Sequence, residues 1–516
     1  MNNNQGSVDI VKKWIGLVLY FAVVLEMIFF PSWQNLCGCV MALICWTIFR
    51  TFFLKRSLIL EHPFAFAMFL SMFLYRYLPL IATLAERKPI TYGFEMAYQT
   101  FFFETLLFIV SALAFHLACN TKKRQNNLIQ RLLYSAGFFN NSVNIFWGLG
   151  FIGVAARLYV FAQGYGLIEY GDVLGKFMNG VISLMCAPLC LLFPALLKIN
   201  VSVGTKRAVW CYTVSICLLN LATNSRTAIL TPIATLILLF LLYILKNNID
   251  IKSLISPTKM VLSIVLLIFG LSFLADISLA MLANRSIRGD IKWTTLINET
   301  IETYQDERVM RILRTESAKE KSRTNLYVEG WDEMYLDNFM LNRYGNMRIT
   351  DATLYHADKM GWMNKKMQDD FVDQLWKSLP TPLITILDIS IDKRKLEYSR
   401  GDLLASNLLA SELLGGYRVT SHVGDGLATF GYWYFPIQCV LFFFVFKLLD
   451  CFVFYSKSGV MYSALGLMNV FIFLGMFCNA NGCLGDLSFC IRGFWQLCFV
   501  YFIFFVLVKR LLFIKF

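Results

Sequence analysis

Residues Thr227 to Leu245 read TAILTPIATLILLFLLYIL, nineteen positions without one charge. At the rise of an α-helix such a run is roughly 28 Å long, close to the hydrocarbon thickness of a bilayer. It is read as a membrane span, and the rest of the chain repeats the pattern. Working outward, comparable runs lie near 14–33, 36–54, 63–83, 95–118, 143–163, 174–197, 207–223, 259–283, 426–449, 459–478 and 491–508, twelve spans in all. The 516 residues are 57% apolar and 16% charged, a balance no ordinary soluble domain carries. The expected fold is therefore an all-α polytopic membrane protein. Spans one to nine fill residues 1–283, a large and mainly helical loop domain fills 284–425, and three more spans fill 426–516. The polar start, Met1 to Asp9, is followed by an apolar run with no small-residue cleavage site, so that run reads as a retained span rather than a signal peptide.

The formal charge of +13 would suit nucleic acid, but its location points elsewhere. Residues 284–425 hold 20 Lys and Arg against 22 Asp and Glu, leaving 27 basic and 12 acidic residues in and around the spans. With the N-terminus in the cytoplasm, the short inner segments collect most of this excess, including Lys12, Lys13, Lys55, Arg56, Lys122, Lys123, Lys198, Lys206, Lys246, Lys509 and Arg510. The short outer ones hold little beyond Arg87, Lys88 and Arg226. This bias puts both termini in the cytoplasm and the loop outside, the arrangement of a multi-pass membrane protein. No nucleic-acid role follows from such charges.

All 14 cysteines lie outside residues 284–425. Cys478 and Cys483 flank an outer turn, where a disulfide and two free thiols both fit. Within the loop, Leu296–Lys321 reads as an exposed charged helix, Asp351 as the cap of a second helix stopped by Pro380, and Asp402–Leu414 as a third closed by Gly415 and Gly416. The third is leucine-rich and directly precedes a span, a place for a helix lying on the membrane surface. Neither an internal repeat nor a low-complexity linker is found.

Ionisable residues inside spans are costly and mark either function or a buried pair. Arg76, Glu104, Arg157, Arg226 and Asp276 fall in the outer half, with Arg285 and Arg288 just beyond. The sharpest signal is Asn224-Ser225-Arg226-Thr227, a polar break between apolar runs. An arginine there can hold phosphate with two parallel N–H bonds; snorkelling to headgroups or pairing with Asp276 is the other reading. Arg285 and Arg288, three apart, can share one face and add positive potential, or simply anchor at headgroups. Where the loop re-enters the membrane, Tyr417-Arg418-Val419-Thr420-Ser421-His422-Val423-Gly424-Asp425-Gly426 offers His422 as a base and Asp425 as its orienting partner or as the base itself. A structural histidine is the alternative. His62, His116 and His356 have no comparable setting. Pro31 to Asn35, the first outer segment, has no carboxylate, and there is no nucleotide-binding glycine loop, zinc-ligand spacing or serine nucleophile elbow. The expected chemistry needs neither ATP nor metal, and no cofactor.

With its dozen spans, its Ser-Arg-Thr turn at 225–227 and one large external loop before the last spans, the whole chain resembles the O-antigen or oligosaccharide repeat-unit polymerases of bacterial envelopes, the Wzy type. The related O-antigen ligases carry a histidine at the end of that loop, then a glycine and an aromatic or small residue. His422, Gly431 and Tyr434 look similar, although Val423 stands where the ligases have a polar residue and the spacing is shorter. The resemblance implies a GT-C-like glycosyltransferase acting on polyprenyl-diphosphate-linked oligosaccharide in lipopolysaccharide or other surface polysaccharide synthesis, with membrane lipid and a chain-length regulator protein as partners. It implies diphosphate binding by Arg226, Arg285, Arg288, Arg157 and Arg76, catalysis by His422, Asp425 and Arg226, and sugar binding by Arg343, Arg348, Trp331 and Tyr335. A ligase and a lipid-linked oligosaccharide flippase are the competing readings; the large loop and the gathering of charge at one face favour an enzyme over the flippase.

Overall fold

The computed structural model describes residues 6–119, 125–162, 173–221, 226–249, 276–284 (except 278 and 282), 293–313, 327, 331, 335–379, 381–407 (except 390), 414–477 (except 458) and 482–513. Helix accounts for 79% of it. The only described strands are β1, Val453–Ser456, and β2, Gly459–Tyr462, paired antiparallel from Val453↔Tyr462 to Ser456↔Gly459. The chain is thus an all-α membrane protein. Seven of the described helices are long and apolar enough to cross a bilayer: Trp33–Phe53, Pro63–Ala85, Ala97–Cys119, Val143–Ala162, Thr227–Asn247, His422–Asp450 and Gly482–Leu512.

Several expected spans take a different form. The first lies in the 24-residue helix Gly6–Phe29 and another in Val203–Leu221, where Lys206 and Arg207 enter the first turn. The run at 174–197 is broken: Val173–Val181 is followed by a tight 3-10 stretch, Ile182–Leu192, and then Pro194–Leu197. Pro188 and Pro194 supply no N–H to an α-helical ladder, so hydropathy over-reads continuity there. The run at 459–478 is not one helix either. It opens with β2, turns at Ser463, whose hydroxyl accepts the Gly466 N–H, and proceeds as Ala464–Met468 and Val470–Gly475 with non-helical Asn469 between. Irregular backbone at that depth requires burial in protein rather than lipid, and Asn469 is completely buried. The expected span at 259–283 lies mostly outside the described residues.

Polar contacts divide the molecule into two ends. At the hairpin end, His62 Nδ1 lies 2.6 Å from Asp450 Oδ1, Gln130 Nε2 donates to the carbonyls of Asp450 and Val453, and Arg56 Nε donates to the Leu245 carbonyl. At the loop-bearing end, Glu26 accepts the Ile90 N–H and Glu86 accepts the backbone N–H groups of Asp337 and Asn338. Between them an aromatic core joins Phe49, Phe69, Phe73, Phe115 and Phe446.

The loop domain rests on the loop-bearing end through the helices Phe339–Gly345, Arg348–Met360, Lys365–Ser378 and Arg400–Ala405. The single expected helix from Asp351 to Pro380 is split at Gly361, whose φ of 88° ends the first piece. Asp351 is not its cap. Its carboxylate turns outward and accepts the N–H groups of Glu95 and Met96 and the hydroxyls of Thr100 and Tyr327. The third expected helix starts at Arg400, two residues early, because Ser399 and Asp402 form a reciprocal capping box.

Candidate functional site

The segment that opens the apolar stretch His422–Asp450 folds into the helix His422–Phe430, capped by Ser421. Its glycines are packing devices. A Cβ at Gly424 would stand 2.6 Å from Thr353, and one at Gly426 would collide with the ring of Tyr434. Their bareness lets the helix sink against Arg348–Met360 and the start of Tyr434–Asp450, which turns His422 and Asp425 inward together.

The two side chains have separate surroundings. Asp425 Oδ1 accepts from Arg400 Nε, while Arg400 Nη1 reaches Asp370 Oδ2 at 2.8 Å and Nη2 reaches Thr429 Oγ1. Asp425 is therefore neutralised by a buried guanidinium, a poor condition for a base; its Oδ2 faces Gly482 and has no hydrogen-bond partner among the described residues. His422 lies flat on Phe477, ring centroids 4.6 Å apart. Its Nδ1 stands 3.9 Å from Asp486 Oδ2, beyond hydrogen-bond length. That Asp486 oxygen accepts from Gln438 Nε2 at 2.6 Å, and Gln438 Oε1 takes the Cys483 thiol at 2.9 Å. Cys483 is thus engaged within the core; Cys478 lies outside the described residues.

Asp486 also lines a cavity of about 370 Å³, whose other walls include Thr227, Thr231, Tyr344, Phe471 and Met476. Thr227 belongs to the first turn of the helix Arg226–Asn247. The first backbone N–H groups of a helix lack internal partners and carry the positive end of its dipole, so this wall suits an anion. The same lining includes the buried carboxylate of Asp486, with the His422 imidazole 3.9 Å from it. A helix start suited to an anion and a carboxylate able to accept a proton thus share one cavity.

The other expected site residues distribute as follows. Arg76 is fully buried and paired with Glu104, Nη2 to Oε2 at 2.6 Å, with Nε donating to the Glu104 carbonyl and Nη1 to that of Met72. Thr350 donates to the same carboxylate, and the guanidinium lies 5.1 Å from the Phe477 ring. This dry, matched pair joins two spans and, through Thr350, the helix Arg348–Met360, so the charge of Arg76, expected on diphosphate, is met here by Glu104. Tyr335, expected on sugar, is completely buried, its hydroxyl donating to the Ile90 carbonyl at 2.6 Å. Arg348 is buried over the Tyr327 ring in a hollow that only a glycine at position 93 leaves open. Trp331 is half-buried and stacks on His356 at 4.9 Å. Arg157 is half-buried in Val143–Ala162 and does not line the cavity. The side chains of Arg226 and Arg343 and the whole of Arg285 and Arg288 lie outside the described residues; Asp276 is half-buried.

Asp486, Gln438 and Arg400 were not singled out from sequence. Asp486 carried a usable signal, an acid beside an apolar run, but with the last span read from 491 it fell into a presumed turn. Among the described residues no three His, Cys, Asp or Glu side chains converge as metal ligands. Compared with known protein families, with curated proteins and with solved structures, the chain finds no match.

Proposed function

We propose that this protein is a membrane glycosyltransferase of the repeat-unit polymerase type, GT-C-like in architecture, acting on polyprenyl-diphosphate-linked oligosaccharide at the outer face of a bacterial inner membrane. The observation that carries the reading is the cavity at the loop-bearing end, lined both by Thr227, in the first turn of its helix, and by Asp486. A lipid diphosphate seated at the helix start has its charge met by unpaired N–H groups, with Arg226, Arg285 and Arg288 as the side chains assigned to it. The acceptor sugar's hydroxyl then loses its proton to Asp486 as its oxygen bonds to the donor's anomeric carbon. The bond from that carbon to the diphosphate oxygen breaks, its electron pair leaving with the lipid diphosphate. His422 stands behind Asp486 as the positioning group, and Asp425, held by Arg400, supports the helix that carries it.

The test is the glycan profile of a deletion strain complemented with wild type, Arg226→Ala, His422→Ala or Asp486→Asn, with equal membrane abundance verified. Deletion is expected to leave single repeat units on the lipid core, and Asp486→Asn to do the same while its Gln438 contact survives. Long polymer accumulating unattached would make the protein a ligase. Lipid-linked units confined to the cytoplasmic face would make it a flippase, and full-length polymer from Asp486→Asn would remove Asp486 from the site.

A further inference from the structure

A second cavity lies far from the first, at the hairpin end, along the outside of the helix Gly6–Phe29. It encloses about 830 Å³ and is lined by Lys12, Lys13, Leu17, Tyr20, Phe21 and Val24, with Asp9, Gly16 and Arg50 completing it. Positions 13, 16, 17, 20, 21 and 24 recur every three or four residues and so form one stripe of the helix. Gly16 sets the inner wall: a Cβ there would stand 3.3 Å from the Trp46 ring, so the neighbouring helix closes in at the one position without a side chain. Arg50 arrives from a π-helical turn, Phe49–Phe53, in which Phe49 and Phe53 are buried while Arg50 stays exposed. That wider turn displaces Arg50 from the bearing an unbroken α-helix would give it.

We infer that this groove binds one acidic glycerophospholipid of the leaflet at the hairpin end, its phosphate held by Lys12, Lys13 and Arg50 and an acyl chain laid along Leu17, Tyr20, Phe21 and Val24. Charge and length both fit. Three cations stand at one end of an apolar trough, and among the described lining residues the one acid is Asp9, 3.8 Å from Lys12. From Lys13 to Val24 the helix rises about 16 Å, close to the half-thickness of a bilayer's hydrocarbon core. A zwitterionic lipid would carry its own cation into the cluster, so the site discriminates by headgroup charge.

The experiment is native mass spectrometry and thermal unfolding of the full chain in neutral detergent, with phosphatidylglycerol or phosphatidylcholine of identical acyl chains added. Phosphatidylglycerol should bind preferentially and raise the unfolding midpoint. Lys13→Gln with Arg50→Gln should weaken that binding roughly 30-fold at low salt, taking each cation near the surface at its usual worth. Leu17→Trp fills the trough without altering charge and should lose the adduct as well, which keeps the test valid if the double variant folds poorly. Lys198→Gln with Lys206→Gln, at other segments, should keep the preference. Equal stabilisation by both lipids, or a preference surviving both groove variants, would overturn the assignment.

Discussion

Arg400 is where the loop domain is most exposed to a single substitution. One guanidinium from the helix Arg400–Ala405 satisfies Asp370 on Lys365–Ser378 and Asp425 on His422–Phe430, and all three side chains are buried. Removing one partner of a buried ion pair leaves uncompensated charge and costs about 3–5 kcal/mol. Arg400→Gln is therefore expected to lower the unfolding midpoint sharply in purified protein, and adding Asp370→Asn and Asp425→Asn should recover part of the loss. A cost below about 1 kcal/mol for Arg400→Gln would mean that these charges are hydrated rather than buried. The same residue explains why Asp425 was legible as a candidate and not as what it is. Its place beside His422 in the sequence suggests a catalytic couple, whereas its partner lies 25 positions earlier. Spacing along the chain shows which groups can share a helix face and cannot show which remote cation reaches them.

At the scale of the element, the helix Arg348–Met360 carries two groups whose titration opposes. Burial pushes Asp351 up to about 6 despite its four hydrogen bonds, and burial, reinforced by Arg418, pushes His356 down to about 4. The raised acid contributes stability that is fully present below its ordinary value near 3.8 and is lost as pH rises through about 6. The depressed histidine contributes stability that is present above 6.5 and is lost as pH falls through about 4. The contributions partly cancel in the wild type, so substitution separates them. His356→Phe should gain up to about 3 kcal/mol relative to wild type between pH 6.5 and 4, read as a widening difference in unfolding midpoint. A difference that stays constant across that range would show that His356 titrates in the fold as it does in the unfolded chain, hydrated rather than buried. The sequence marks a helix here and leaves this coupling unseen, because the groups that bury His356 come from Trp331 and the helices packed over it.

For the whole molecule, polar ties between distant segments gather at two ends among the described residues. His62–Asp450 and Arg56–Leu245 belong to the hairpin end, and Glu26–Ile90 and Glu86–Asp337 to the loop-bearing end. If the spans cross a bilayer between them, protease sites inserted after Lys457, in the hairpin, and after Arg394, in an exposed turn of the loop domain, lie on opposite sides. In intact spheroplasts the Arg394 site should be cut and the Lys457 site spared until lysis. Cutting at both sites before lysis would undo the two-ended reading.

Composition and run length alone determined that this chain is helical and membrane-embedded, since burying uncharged twenty-residue stretches in lipid depends on their own apolarity and on hydrogen bonds each helix makes within itself. The same local information located the re-entering segment at 417–426 and the helix start at Arg226–Thr227, because polar breaks and glycines are visible without partners. Tertiary structure alone decided that 459–477 is the second strand of a hairpin followed by a broken helix, where surrounding protein takes over the hydrogen bonds that lipid would not supply. It also decided that Arg76 is matched by Glu104, that Tyr335 is core, and that Asp486, beside His422, lines one cavity with Thr227. Charge partners and cavity walls are pairings across hundreds of residues, and the energy that fixes them arises only once the helices have packed.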